Sequence, residues 1–399
     1  MKICIAGKNN IAVYVLHLAI KYLPLSDILV LPNSYVPENS DWQLSLKQAA
    51  RELGVRQVKI EEVYSIVNLL FLSVEYSDLI KPSLFASKNL INIHFSNLPQ
   101  YKGVHTSVWP IINGESQAGV TLHRIAPGID TGEIVAQRLF NIEIDYTSRD
   151  LYFKYMEHGY EMIRSEFESL LQNNYELRAQ TVINSTYYSR YSINYNKIEL
   201  NFKATGWQLH NSVRAFCFPE YQLPQAFGWK IRGSELTQQA STSKPGTVIS
   251  EDEQRIIVAT IDYNVCLFKD YSIELFAAVM KGDNEVVKNT AQLTHNINIT
   301  NSRGWSALMI AVYNNHNSIV QELINAGADI NQVNLNGTSV FMYAKDGAIA
   351  SGSTSLLSIL LHHGANINWR DKSGKTVLDY CRINKNEKMT SFLLSQGAR

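Results

Sequence analysis

One stretch of the chain combines an apolar strand with polar side chains at its end. Residues 92–103 have the sequence NIHFSNLPQYKG, in which Asn92 and His94 lie two positions apart. Alternate residues of a strand point to the same face, so we expect both side chains on one face. The Pro and Gly residues that follow predict a loop. Packing explains such a pair poorly, because burying polar groups costs free energy.

The sequence before this stretch predicts the sheet to which the strand belongs. Strand-like apolar segments alternate with helix-like segments over roughly the first 120 residues. The strands are predicted at 2–6, 27–32, 55–60, 66–74 and 88–96, and the helices at 11–20 and 46–55. This alternation predicts an open parallel α/β sheet, in which ligands bind beyond the carboxyl ends of the strands. We therefore expect the chemistry where residues 92–103 end.

A second polar loop follows in residues 119–135, GVTLHRIAPGIDTGEIV, where Asp130 lies between two glycines. If this loop returns to His94, an amide, an imidazole and a carboxylate meet, and together they support acyl transfer to an amine. Asn92 can donate to the developing oxyanion, an effect worth ~3–4 kcal/mol. His94 can move protons, typically worth ~10²–10⁴-fold, and Asp130 can orient the imidazole or accept a proton. The alternative is a satisfied histidine and a turn-capping aspartate.

Composition excludes several classes of protein. The 399 residues are 45% hydrophobic and 18% charged, a globular balance, and the length predicts two or three domains. Lys plus Arg equals Asp plus Glu at 36 each, so no global field attracts nucleic acid or an anionic membrane. The four cysteines form no CxxC spacing, which argues against disulfides and a metal site, and no apolar run approaches the ~18–20 residues of a membrane span. We expect a cytoplasmic protein.

The middle of the chain changes character. Residues 151–175 and 203–217 have helical periodicity, whereas 222–268 consists of short strand-like segments separated by Gly and Pro turns. Within that region the sequence TQQASTSKPG, residues 237–246, is typical of a linker. These patterns predict a small second domain that is mostly β.

The last third of the chain repeats. Gly304 and Gly337 begin similar motifs 33 positions apart, and Gly364 and Gly397 also lie 33 apart. Gly337 and Gly374 are separated by 37 positions, a four-residue insertion that the Gly- and Ser-rich residues 346–354 explain. A period of 33 with a turn and two helices is the signature of ankyrin repeats.

The two polar motifs resemble the core of formyltransferases that use N10-formyltetrahydrofolate. This family includes methionyl-tRNA formyltransferase and enzymes that act on nucleotide-linked amino sugars. The resemblance implies a Rossmann-like core in which Asn92, His94 and Asp130 are catalytic. It also implies that the folate is held by Asp78, Leu79, Ile80, Ala126, Pro127, Gly128 and Ile129. Val104 stands where several members carry a second basic residue.

A formyltransferase core with terminal ankyrin repeats resembles bacterial sugar N-formyltransferases that act on dTDP-linked amino-dideoxysugars. The implied acceptor is the amine of dTDP-3-amino-3,6-dideoxyglucose, in O-antigen or related lipopolysaccharide synthesis. The corresponding 4-amino sugar, methionyl-tRNA and a non-catalytic ankyrin adaptor remain alternatives. The acceptor is expected to contact Lys8, Asn9, Tyr101, Lys102, Arg214 and Tyr221. Of these, Tyr221 would stack on thymine and Arg214 would pair with the pyrophosphate.

We therefore expect three domains: a catalytic domain at 1–200, a β-rich domain at 201–269 and ankyrin repeats at 270–399. Residues 201–246 hold five Lys and Arg against two Glu. This small excess of positive charge is too low for binding tRNA, so no nucleic-acid partner is expected. A homodimer is expected by analogy, with no membrane or metal. The ankyrin module can be a stabilising extension or dimer spacer, a protein-binding scaffold, or a second nucleotide-sugar site built on Trp305.

Overall fold

The computed structural model describes residues 1–33, 42–334 and 336–399. The strands are β1 Lys2–Gly7, β2 Ile28–Pro32, β3 Arg56–Gln57, β4 Leu69–Val74, β5 Leu90–His94, β6 Lys102–Gly103, β7 Gln117–Arg124, β8 Ile134–Asn141, β9 Tyr187–Tyr188, β10 Gln225–Ala226, β11 Trp229–Ala240, β12 Val248–Glu251, β13 Arg255–Ala259 and β14 Tyr263–Lys269. The helices are α1 Asn9–Tyr22, α2 Leu46–Glu52, α3 Trp109–Ile112, α4 Ser148–Gln172, α5 Gly206–Phe216, α6 Ser272–Lys281, α7 Asn284–Leu293, α8 Ala307–Tyr313, α9 Asn317–Asn325, α10 Val340–Ser351, α11 Ser355–His362, α12 Val377–Ile383 and α13 Glu387–Ser395.

The main sheet has seven strands in the order β3-β2-β1-β4-β5-β7-β8. The predicted α/β sheet is confirmed, and β1 to β5 are parallel. β7 and β8, which lie at and beyond the end of the segment from which the parallel sheet was predicted, are antiparallel to their neighbours. A helix-free loop joins β7 to β8, and such a connection suits antiparallel pairing, whereas parallel strands need a longer crossover.

The order of the central strands explains where a ligand cavity forms. β4 is buried along its whole length between β1 and β5, as its apolar sequence LLFLSV requires. The order in which the chain adds strands to the sheet reverses at β1. β2 pairs with β1 on one side, and β4 pairs with it on the other. At such a switch point the loops leaving the carboxyl ends diverge and leave a crevice.

Helix α4 covers one face of this sheet. It begins where the Thr147 hydroxyl caps the Asp150 N–H and the Asp150 carboxylate returns to Thr147, and it ends at Asn173 in a left-handed conformation. Its buried side chains, among them Tyr155 and Phe167, belong to the core that the first half of the chain forms. The helix predicted at 151–175 is thus confirmed.

A second sheet of five strands has the order β10-β11-β14-β13-β12. Its presence confirms the β-rich region predicted between 222 and 268. The linker predicted at 237–246 is partly wrong, because β11 continues to Ala240. The Thr237 hydroxyl donates to the Asn264 carbonyl at 2.6 Å, a cross-strand bond that helps extend the strand beyond its apolar part.

The C-terminal third forms successive helix pairs, as the repeat predicts, from α6 and α7 to α12 and α13. The four-residue insertion lengthens a helix rather than a loop. Helix α10 has 12 residues where α8 has 7, and Gly352 ends it in a left-handed conformation.

The chain divides into two compact units. One comprises Met1–Gly228, Gly233–Thr247 and Ala259–Val265, and the other Trp229–Arg232, Val248–Val258 and Cys266–Arg399. Across the described ranges, no helix combines the length and the apolarity that crossing a bilayer demands.

Candidate active site

A cavity of about 640 Å³ opens at the carboxyl ends of β1, β4 and β5. Side chains from the three strand ends share its wall: Lys8 after β1, Ser73 and Glu75 at the end of β4, and Asn92 and His94 on β5. Strand register explains this arrangement, because Ser73 lies beside Asn92 in the parallel pair. The volume lies within the ~300–1,000 Å³ typical of small-molecule sites.

Three polar side chains, those of Asp130, His94 and His123, converge on one wall of this cavity. The Asp130 carboxylate lies 3.5 Å from His94 Nδ1 through Oδ2 and 3.5 Å from His123 Nε2 through Oδ1. The Gly103 N–H donates to Asp130 Oδ2 at 2.8 Å. The loop that carries Asp130 therefore returns to His94, as the sequence predicts.

The histidine that sequence reasoning missed, His123, holds the amide of Asn92. The two residues are directly opposite in the antiparallel β5–β7 pair, with Asn92 Nδ2 3.0 Å from His123 Nε2. His123 Nδ1 lies 2.8 Å from the Arg124 carbonyl, which only accepts, so Nδ1 carries the hydrogen and Nε2 is free to accept from Asn92. An imidazole inside the otherwise apolar strand segment GVTLH was the available signal.

The His94 ring is fixed on its other side as well. Its Nε2 donates to the Tyr101 carbonyl at 2.8 Å, while Nδ1 faces Asp130. His94 is only 8% exposed, so the ring has little freedom to leave the cavity wall. This geometry presents one defined edge of the imidazole to Asp130.

The charge of Asp130 is set by opposing effects. Burial alone would raise the pKa of its carboxyl, but the His94 ring and the Gly103 N–H lower that pKa well below its usual range. Asp130 is therefore ionised at neutral pH. A carboxylate held in this way orients and balances an imidazole better than it accepts a proton.

A second carboxyl, Glu75, was also missed by sequence reasoning. It follows β4 and accepts hydrogen bonds at Oε2 from Asn9 Nδ2 at 3.1 Å and from the Tyr152 hydroxyl at 2.9 Å. Burial raises the pKa of Glu75, and the Lys8 charge and these hydrogen bonds oppose that rise. Glu75 lies in the turn that follows a strand, where no alternation of polar and apolar residues marks it in the sequence.

The residues predicted to hold the folate lie together on the cavity wall. All seven line it, and they belong to the loop after β4 and the loop between β7 and β8: Asp78, Leu79, Ile80, Ala126, Pro127, Gly128 and Ile129. Leu79 is 78% exposed and Ile129 43%, so apolar side chains border the opening.

Of the residues predicted to bind the acceptor, only Lys8 lines this cavity. Asn9 is buried and donates to Glu75 and Tyr152. The Tyr101 hydroxyl donates to Glu115 at 2.6 Å, and burial raises the pKa of that phenol. Lys102 Nζ donates to the Ser185 hydroxyl at 3.1 Å.

Arg214 and Tyr221 lie apart from the cavity wall. Arg214 is 4% exposed, and its guanidinium donates to the Glu143 and Tyr146 carbonyls and to Asn211 Oδ1. Tyr221 is 63% exposed, with its ring against Phe218. The exposed aromatic ring suits a stacking role. Protein acceptors take Nη1 and Nη2 of the Arg214 guanidinium, whereas its Nε is buried and meets no acceptor among the described residues.

Trp305 belongs to the ankyrin repeats. The ring is half-buried and packs against Tyr313 and Tyr343, with ring centroids 5.3 and 4.4 Å away. Trp369 donates from Nε1 to the Gly337 carbonyl at 2.7 Å and so serves packing between repeats. Among the residues described, His, Cys, Asp and Glu form no group that can hold a metal ion.

Comparison with known families gives three matches along the chain. Residues 42–166 match the family described as formyl transferase, and residues 192–271 match the formyl transferase C-terminal domain. Residues 275–348 match ankyrin repeats in three copies, which confirms the repeat predicted from the period of 33.

Curated relatives include methionyl-tRNA formyltransferases. That of Staphylococcus aureus (strain Newman) is 27% identical over 220 residues, which cover 53% of this chain and 70% of the relative. That of Malacoplasma penetrans is 25% identical over 291 residues, which cover 68% of this chain and 89% of the relative. Both matches support a shared formyltransferase core.

Two solved structures match at higher identity. WlaRD, a sugar 3N-formyltransferase crystallised with dTDP and 5-N-formyl-THF, is 42% identical with a TM-score of 0.64, over 68% of this chain and 98% of its own. The Helicobacter canadensis N-formyltransferase, in complex with folinic acid and dTDP-3-aminofucose, is 40% identical with a TM-score of 0.64, over 68% of this chain and 100% of its own. With the site geometry above, these matches show that the chain belongs to the formyltransferase family and is an N-formyltransferase with C-terminal ankyrin repeats.

Proposed function

We propose that the protein transfers the formyl group of N10-formyltetrahydrofolate to the C-3 amine of dTDP-3-amino-3,6-dideoxyglucose. The observation that carries the proposal is the convergence of Asn92, His94 and Asp130 on one cavity wall, with 3.5 Å between His94 and Asp130. The proposed setting is the cytoplasm, in O-antigen or related polysaccharide synthesis.

Each polar residue has a distinct proposed role. Asn92 uses one N–H to bond His123, so its second N–H is available to stabilise negative charge on the formyl oxygen. His94 lies between the Tyr101 carbonyl and Asp130. If its Nε2 exchanges the Tyr101 carbonyl for the substrate, His94 can pass a proton from the attacking amine to the departing nitrogen. Asp130 keeps the imidazole oriented and balances its charge.

The cavity fits a folate donor. Its wall combines backbone groups of the 126–129 loop with apolar side chains at 79, 80 and 129, which suits a flat heterocycle that needs both stacking and hydrogen bonds. The bound donor supplies an activated formyl group. The loops named above are proposed to hold it so that the formyl carbon faces Asn92 and His94.

A sugar acceptor with a C-3 amine is supported by the relatives at 42% and 40% identity, one a sugar 3N-formyltransferase and the other bound to dTDP-3-aminofucose. Lys8, at the cavity wall, is the cation proposed to meet the diphosphate. Exposed Tyr221 is proposed to stack on thymine. Arg214 is better suited to hold its neighbours than to bind phosphate, since the residue is 4% exposed and protein acceptors take its Nη1 and Nη2 groups.

The test is formyl transfer by the wild-type protein to four acceptors: dTDP-3-amino-3,6-dideoxyglucose, dTDP-3-aminofucose, the 4-amino-4,6-dideoxyglucose isomer and charged initiator tRNA. We expect turnover with the 3-amino sugars. Turnover restricted to the 4-amino sugar would refute the C-3 assignment, and turnover restricted to tRNA would refute the sugar assignment altogether.

The division into three domains, with boundaries at 200 and 269, belongs to the same proposal. So do the homodimer and the roles of the ankyrin repeats. The module is proposed to present its surface either to a protein or, around Trp305, to a second nucleotide sugar. The aromatic cluster of Trp305, Tyr313 and Tyr343 supports the second role. Trp305→Ala should then weaken dTDP-sugar binding at a second site in calorimetry, and unchanged stoichiometry and affinity would refute it.

A further inference from the structure

The segment that follows α4 contacts the loop that carries Asp130. Arg178 and Ile134 exchange two backbone hydrogen bonds, at 2.7 and 2.9 Å, where β8 begins. Two residues later the Gln180 side chain reaches the same loop, donating from Nε2 to the Asp130 carbonyl at 2.8 Å and to the Gly132 carbonyl at 2.7 Å. The segment thus binds the loop through both its backbone and a side chain.

The chemistry of Gln180 allows one orientation of its amide. Both partners are carbonyl oxygens, which only accept, so the nitrogen end must face them and both of its N–H groups are used. Gln180 Oε1 is buried and, among the residues the structure describes, meets no hydrogen-bond donor. Leaving a buried oxygen without a donor costs free energy. The two hydrogen bonds that Nε2 donates offset this cost.

The loop that Gln180 holds is tightly constrained. Asp130 has a φ of 52°, in the left-handed region that non-glycine residues seldom adopt. A Cβ on Gly132 would lie 1.8 Å from the Arg124 carbonyl oxygen, so the backbone packs closely there. The surroundings must maintain such a conformation, and Gln180 binds the carbonyls on both sides of its turn.

The same segment also holds Gly103, whose backbone N–H is a further partner of the Asp130 carboxylate. Lys102 N–H donates to the Thr186 carbonyl at 3.0 Å, and Val104 N–H donates to the Tyr188 carbonyl at 3.0 Å. Gly103 lies between them, and its own N–H donates to the Asp130 carboxylate. Both sides of the Gly103–Asp130 bond are thus tied to one stretch of chain, at 178–188.

We infer that Gln180 is a positioning residue that holds the Asp130 backbone so that the carboxylate stays within reach of His94, His123 and the Gly103 N–H. The inference rests on the proposed catalytic role of Asp130. Gln180 itself does not line the cavity, so it acts through Asp130 and not on substrate.

The test compares Gln180→Met, which keeps the side-chain size and removes both donors, with Gln172→Met, an exposed glutamine at the end of α4. Because a misplacement of about 1 Å can cost ~10²-fold, we expect kcat to fall roughly 10–100-fold in Gln180→Met with KM for the folate changed little. Gln172→Met should match the wild type. Gln180→Lys, which restores a donor, should recover part of the loss.

A pH profile separates positioning from general damage. Titratable groups that face Asp130 are His94 on β5 and His123 on β7, while Glu75, Asp78, His105 and Arg190 line the rest of the cavity. When the Asp130 carboxylate loses its fixed partners, its pKa rises toward the ordinary value. The acid limb of the pH profile of kcat should therefore move to higher pH in Gln180→Met. Loss of activity with an unmoved acid limb would overturn the inference, as would wild-type kcat.

Asp130→Asn distinguishes this inference from the proposed function. If Asp130→Asn retains wild-type activity, the catalytic role of Asp130 fails. If Asp130→Asn is impaired while Gln180→Met is not, only the positioning role of Gln180 fails. If both are impaired, Gln180→Met should add little to the loss in the double variant, because residues that act as one unit are not additive.

Discussion

Asp130 is the residue at which most contacts of the site meet. The sequence identified Asn92, His94 and Asp130, because strand alternation puts the first two on one face and a Gly-flanked loop carries the third. It did not identify His123, since the Asn92–His123 pair depends on the antiparallel register of β5 and β7. Gln180 was not identified as part of the site for a similar reason, because 50 positions separate it from Asp130. Contacts between distant segments leave no local pattern to detect.

The lowered pKa of Asp130 has a consequence for stability. A carboxyl whose folded pKa lies below its unfolded value contributes stability that is present above the unfolded pKa and is lost as pH falls through the folded pKa. We therefore expect Asp130→Asn to lower the free energy of unfolding at pH 7, with the deficit shrinking as the pH is lowered below about 4. Urea unfolding at several pH values measures this, and a deficit that grows in acid would contradict the assignment.

At the scale of secondary structure, the β6–β9 pair holds the backbone of Gly103, whose N–H donates to Asp130. Gly103 has a φ of 90°, and a Cβ there would lie 2.1 Å from the Tyr188 carbonyl oxygen. The pattern of Gly and Pro predicted a loop but not this pair, because Tyr187 and Tyr188 come from a segment without clear periodicity. The long strand β11 was likewise hidden by polar residues that suggested a linker.

Gly103→Ala tests the importance of this pair. Gly54→Ala is the matched control, because Gly54 also has a positive φ, 69°, but a Cβ there would meet nothing within 4 Å. Backbone strain alone costs ~1–2 kcal/mol, so Gly54→Ala should lower stability modestly and leave kcat unchanged. Gly103→Ala should lower both stability and kcat, the latter by at least roughly tenfold. Equal effects in the two variants would show that β6–β9 pairing does not shape the site.

The whole molecule has a formal net charge of +0, with 36 positive and 36 negative side chains. The alternation of strand-like and helix-like segments predicted an α/β core, and the period of 33 predicted ankyrin repeats, because both are regular patterns. The division into two compact units was not predictable, since residues 229–232 and 248–258 group with the ankyrin repeats rather than with their neighbours in sequence. That grouping depends on tertiary contacts.

Charge balance predicts a weak dependence on salt. A polyanion held by 6–10 phosphate contacts loses ~10³–10⁵ in affinity between about 50 and 200 mM salt, whereas a nucleotide diphosphate offers few charges. We expect KM for the dTDP-sugar to change less than roughly tenfold over that range. Steady-state kinetics measure this, and a steep increase in KM would indicate a polyanionic acceptor.

The most direct measurement is the rate of formyl transfer to dTDP-3-amino-3,6-dideoxyglucose by the wild-type protein and by His94→Ala at saturating N10-formyltetrahydrofolate. We expect the wild type to turn over and kcat to fall about 10²–10⁴-fold in the variant, with the fold retained by circular dichroism. Equal rates would contradict the central role given to the imidazole between Tyr101 and Asp130.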